Sequence, residues 1–174
     1  VLMALIVLVA LILLSISLPL SFNLWLPALL FEFLIVFTST FRAPLTGGVV
    51  SLMPMTSAAA FLSLGLLPAG WLAFAGALIA GLIRYRFADT LGTPEFASRR
   101  EAVARTAGDA IQQTTSLLAA GVIYLMLGGE EPFSSLGMSI AVPFLGFWLT
   151  YLALNYVLSS HFQGLRGMSG FKRF

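Results

Sequence analysis

The stretch AGWLAFAGALIAGLIRYR, residues 69–86, decides the fold class. Its first fifteen residues carry no charge, and it closes on Arg84-Tyr85-Arg86. An apolar run that ends in an aromatic ring between two cations is the pattern of a helix that crosses a bilayer and meets the headgroups at its end. Ala69, Ala73, Ala77 and Gly81 recur at every fourth position along it. Such a stripe of small residues lets two helix backbones approach closely. The plainer expectation is packing within this chain; the sharper one is a docking face for a partner.

The same character extends outward in both directions. Of 174 residues, 59% are hydrophobic and 9% charged, whereas soluble domains carry about 25% charged residues. The mean hydropathy is +1.00. These values argue against a soluble globular domain and against a disordered segment. They predict an all-α polytopic membrane protein. Turn signals at Pro19 to Asn23, at Arg42, Pro44, Gly47 and Gly48, at Gly65 and Pro68, and at Gly128 to Pro132 divide the chain. Six spans follow, at about residues 1–18, 24–41, 49–64, 69–83, 104–127 and 135–160. They form one bundle over residues 1–160, with a tail at 161–174. Residues 87–105 are the main hydrophilic stretch. Thr93-Pro94-Glu95 reads as a helix start there, because Thr caps, Pro suits the first turn and Glu favours the positive end of the dipole. One helix is expected from about residue 94 through the fifth span. Pro143 is expected to kink the sixth.

Orientation follows from the cations. Arg42, Arg84, Arg86, Arg99, Arg100, Arg105, Arg166, Lys172 and Arg173 are all nine Lys and Arg residues. Six spans put every one of them on one side, which the positive-inside rule makes cytoplasmic. Both ends of the chain then face the cytoplasm, and Glu130-Glu131 face out. The opening run lacks a basic n-region and a small-residue cleavage site, so it reads as a span and not a signal peptide. A first residue of Val predicts a processed chain or a piece of a longer one.

Function classes narrow by chemistry. There are no cysteines, which excludes disulfides, thiolate metal sites and cysteine nucleophiles. A net charge of +2 gives no footprint for nucleic acid. His161 is the only histidine and has no neighbouring ligand set. The spans hold no nucleophile–base pair and no metal-ligand group, so no catalytic residue, metal or cofactor is expected. Glu32 lies near the middle of the second span. An ionisable group there is a ligand or proton-relay candidate by default; the plainer reading is a neutral carboxyl hydrogen-bonded inside the bundle. Asp109, Gln112, Gln113 and Thr114 form a polar set on the fifth span, with Asn155 at matching depth on the sixth. They predict a polar cluster for ligand binding or, more plainly, interhelical hydrogen bonding. Arg99, Arg100 and Arg105 form a cytoplasmic face for a partner. Trp25 and Trp71 fit an interfacial aromatic belt, and Trp148 is expected to pack.

Two stretches carry a family likeness. Gly47-Gly48-Val49-Val50-Ser51-Leu52 precedes Ala58-Ala59-Ala60 and Leu64-Gly65-Leu66-Leu67-Pro68-Ala69; later come Gly108-Asp109-Ala110-Ile111-Gln112, Ala119 to Tyr124 and Gly128-Gly129. Over residues 45–129 the chain resembles the multi-span membrane input domain found ahead of bacterial HD-type phosphohydrolase and diguanylate cyclase output domains. The resemblance implies a non-catalytic sensory or regulatory module of the bacterial inner membrane, coupled to a cytoplasmic domain or partner. A looser likeness is to the substrate-binding components of energy-coupling-factor vitamin transporters. A third expectation, which needs no ligand, is an accessory subunit of a larger membrane complex.

Overall fold

The computed structural model describes residues 2–17, 25–41, 43–45, 48–50, 52–91, 99–131 and 140–165. Among these the order is α1 (Leu2–Ser17), α2 (Trp25–Thr40), β1 (Ala43–Leu45), β2 (Gly48–Val50), α3 (Met53–Leu64), α4 (Leu66–Arg86), α5 (Ala88–Leu91), α6 (Arg99–Met126) and α7 (Ala141–Leu165). The architecture is all-α with six substantial helices, plus the single turn of α5. Two segments, Leu66–Arg86 and Ala141–His161, are long and apolar enough to cross a membrane.

Contacts fix the helix directions. Trp71 Nε1 donates to Ser15 Oγ at 2.9 Å, so the end of α1 meets the start of α4. Thr38 and Thr56 hydroxyls lie 3.2 Å apart, joining the end of α2 to the start of α3. Arg84 meets Asp109 across α4 and α6 at 3.3 Å. Gln112 meets Asn155 across α6 and α7. The helices therefore alternate up and down, and Arg84, Arg86, Arg99, Arg100 and Arg105 gather at one end.

Helix boundaries correct the sequence reading in four places. The third span was expected from residue 49, but Val49 and Val50 belong to β2, which pairs antiparallel with β1 in the register Ala43↔Val50, Pro44↔Val49, Leu45↔Gly48. The helix starts at Met53, with Pro54 in its first turn. At twelve residues α3 is about 18 Å long, short of a bilayer's hydrocarbon. The fourth span is longer than 69–83. Only Gly65 separates α3 from α4, at φ +91°, a backbone conformation that a side chain would strain; Pro68 sits inside the first turn of α4 rather than breaking the chain. Pro143 is likewise in the first turn of α7, buried, and it kinks nothing. Finally, α7 runs through His161 to Leu165, so the tail begins later than 161. The expected helix start at Pro94 and the first residues of the sixth span, 135–139, lie outside the described residues.

The centre of the bundle is rich in small side chains. Ala58, Ala60, Ala69, Ala73, Ala77, Ala80, Ala102, Ala110 and Ala120 are buried, together with Ser39, Ser57, Thr106, Thr114 and Ser116. Larger buried groups include Leu11, Ile35, Met53, Leu67, Phe74 and Leu117, together with an aromatic knot in which Phe61 packs edge-on to Tyr124 and flat on Phe147, and Phe147 stacks on Tyr151. Trp148 packs against Phe147 and Tyr151. Trp25, Leu26, Leu29, Leu30, Phe33, Phe37 and Phe41 of α2 point outward, as do Val142, Leu145, Leu149, Leu152, Tyr156 and Val157 of α7.

Candidate functional site

Helix α6 carries the polar chemistry. From Asp109 to Gln113 its side chains reach to both neighbours. Towards α4, Arg84 Nη2 donates to Asp109 Oδ2 at 3.3 Å. The Arg84 side chain is 4% exposed and that of Asp109 34%. The carboxylate opposite it offsets part of the cost of burying a guanidinium this deep.

Towards α7, four residues form a relay. Gln112 Nε2 donates to Asn155 Oδ1 at 2.5 Å and to the Asn155 carbonyl at 3.1 Å. Asn155 Nδ2 donates to Gln113 Oε1 at 3.4 Å. The Tyr151 hydroxyl donates to the same Gln113 oxygen. Gln113 thus accepts twice and Gln112 donates twice, which sets the register of α6 on α7. The expected meeting of Gln112, Gln113 and Asn155 is present. Asp109 turns to α4 instead of joining it, and Thr114 is buried with no partner for its hydroxyl among the described residues.

Two members of this set were missed from sequence. Tyr151 stands one helical turn before Asn155, a spacing that could have flagged it. Arg84 reads as an interfacial cation, and nothing in the sequence ties it to a residue 25 positions away.

Glu32 is the second candidate. It points inward, beside Gly76 of α4: a Cβ added there would lie 3.6 Å from Glu32 Oε1. Both carboxyl oxygens are buried without a hydrogen-bond partner among the described residues. The inward orientation agrees with expectation; the expected hydrogen bond is absent from that set.

The small-residue stripe lies inside the bundle. Ala69, Ala73 and Ala77 are buried, and a Cβ on Gly81 would run into Thr106 of α6. The stripe packs this chain's own helices and is not on the surface. Arg99 and Arg100 are exposed, while Arg105 Nη2 sits 2.5 Å from Glu101 Oε1 one turn away. His161 is exposed at the end of α7.

The opposite end is closed by a contact across the chain. The Leu66 N–H at the start of α4 donates to Glu131 Oε2 at 2.7 Å. Leu66, Leu67 and Pro68 offer no local cap, so the carboxylate comes from beyond α6 and meets the positive end of the α4 dipole. Burial raises the Glu131 pKa above the ordinary carboxylate value, and the Leu66 N–H opposes that shift. Gly128 at φ +86° lets the chain turn there. Gly129 N–H donates to the Tyr124 carbonyl and Gly128 N–H to that of Leu125, the Schellman closure of a helix.

No family model, curated protein or solved structure matches the chain.

Proposed function

We propose that the chain is a non-catalytic module of the bacterial cytoplasmic membrane. Its six main helices pass through the bilayer, the short α3 among them, with both ends in the cytoplasm, and it passes a change in the α6–α7 seam to a cytoplasmic domain or partner. The outward face of the bundle carries the membrane half of this reading. Large apolar side chains line the outer faces of α2 and α7, while alanine, serine and threonine take a large share of the interior beside the bigger buried groups, as expected where lipid and not water is the solvent. The gathered arginines support the orientation. Short α3 is flanked by α2, α4 and α6, and a bilayer can thin around such a segment at modest cost.

The second half rests on α6. Its 28 residues make a rod about 42 Å long, longer than the ~30 Å of hydrocarbon. That rod bears the amide relay at one level and Arg99 and Arg100 at its end. A displacement at the relay therefore reaches the cytoplasmic face without passing through a loop.

The test measures whether α6 has two positions. Spin labels go on Arg100→Cys and Ser160→Cys, both exposed near the basic end. The expected result is two distance populations in lipid, with a ratio that Gln113→Leu changes. A single distribution that Gln113→Leu leaves untouched would favour a static accessory subunit instead.

A further inference from the structure

We infer that the groove between α4 and α6 at the basic end holds one acyl chain of an anionic phospholipid, with the headgroup phosphate on Arg99. This rests on the membrane reading above and goes beyond it by naming a ligand.

The groove has a volume of about 460 Å³ and is lined by Leu78, Gly81, Leu82 and Tyr85 of α4 and by Arg99, Ala102, Val103, Thr106 and Ala107 of α6. Small-molecule sites run from about 300 to 1,000 Å³. The helices are antiparallel, so Tyr85 and Arg99 stand at the mouth while Leu78 and Ala107 lie deepest. Polarity thus falls from a cation and a phenol to a mostly apolar floor with the one Thr106 hydroxyl over seven residues, about 10 Å. That gradient matches an amphiphile with an anionic head. A soluble anion would have no use for the apolar depth, and a neutral tail none for the arginine.

Charge around the mouth points the same way. Arg84 faces Asp109 and Arg105 faces Glu101. Arg86, Arg99 and Arg100 are exposed, and Arg99 has no ion pair among the described residues. Among the described side chains, five arginines at this end stand against Glu101 and Asp109. Basic pockets between helices on the cytoplasmic side of a membrane attract anionic headgroups. Thr106 and Gly81 press together at the groove floor, so the depression is built by the helix crossing and does not depend on a mobile side chain.

The experiment compares lipid retention by native mass spectrometry. The full chain is reconstituted in vesicles of phosphatidylglycerol and phosphatidylcholine, then released in mild detergent. The parent should retain one phosphatidylglycerol in preference to phosphatidylcholine. Arg99→Gln should lower that preference about fivefold, the share of one arginine near a charged surface. Val103→Trp, on an exposed groove position, should abolish retention of either lipid, while Arg86→Gln, outside the lining, should change it less than Arg99→Gln. Equal retention of both lipids by the parent, or an unchanged preference in Arg99→Gln, overturns the inference. Alkaline carbonate extraction of the same vesicles separates the two failures. If the protein washes out, the membrane reading falls and the groove with it; if it stays inserted but shows no preference, only the groove assignment falls.

Discussion

Glu32 and Arg84 are both ionisable groups inside an apolar bundle, and the structure treats them in opposite ways. Arg84 has a carboxylate opposite it. Replacing Asp109 with alanine leaves a buried guanidinium without that partner and should cost about 3 kcal/mol, the low end of the range because the Asp109 side chain is 34% exposed. The paired change Arg84→Met with Asp109→Leu should recover most of the loss in a denaturation series. Failure of the double variant to recover would mean that the pair does more than neutralise itself. Glu32 has both oxygens buried and unpartnered among the described residues. An orphaned buried group costs about 1–3 kcal/mol, so Glu32→Leu should stabilise the bundle by that order and Glu32→Gln should not. A less stable Glu32→Leu variant would show that the carboxyl has a partner after all. Glu32 is visible in the sequence because it interrupts an apolar run. The burial of Arg84 is not, because its cause is a side chain on another helix.

Individual helices depend on contacts at one or two points. Helix α4 meets α6 tightly at Gly81, where a Cβ would collide with Thr106. Gly81→Ala should therefore cost about 1–3 kcal/mol by overpacking, and Thr106→Ala should return part of it; additive effects would place the strain elsewhere. At the other end of α4, Glu131→Ala removes the acceptor for Leu66 N–H and should cost about 1 kcal/mol, while Glu131→Gln keeps an acceptor. The carboxyl's raised pKa has a sign that can be read in a pH series. The folded state holds the proton more tightly, so this contribution favours folding at low pH and is lost as pH rises through the folded pKa. As pH rises above the ordinary glutamate range the parent should lose more stability than Glu131→Gln, and equal slopes would contradict the assignment. Apolar runs and their turn residues made the helices legible, but not β1 and β2. Ala43 to Leu45 and Gly48 to Val50 are two apolar triplets either side of residues 46–47, and the glycines and Pro44 hid a hairpin behind the look of a simple helix end. The missing local cap at Leu66 was the available signal for Glu131.

For the whole molecule, the order of the helices was legible because it depends on parity alone: an even number of long helices returns the chain to the end it started from. Which end faces which compartment rests on the arginines. A cysteine at Glu130 should react with an impermeant reagent added outside intact cells, and one at Arg100 should react only after permeabilisation. The reverse pattern would invert the orientation and move the basic groove to the outer leaflet. The way α6 divides its polar residues between two neighbours was not legible, because it depends on the angle at which three helices meet.

The amide seam between α6 and α7 has one more property, which comes from spacing. Tyr151, Asn155 and Ser159 stand four residues apart on α7. A slide of α7 by one turn, about 5.4 Å, would bring Asn155 to the place of Tyr151 and Ser159 to the place of Asn155. Both glutamines would again face hydrogen-bonding groups, whereas a half-turn slide would leave them between those groups. Such a seam would favour two positions one turn apart. Intermediate positions strand the amides in an apolar setting, so movement along it would come as a click and not a drift.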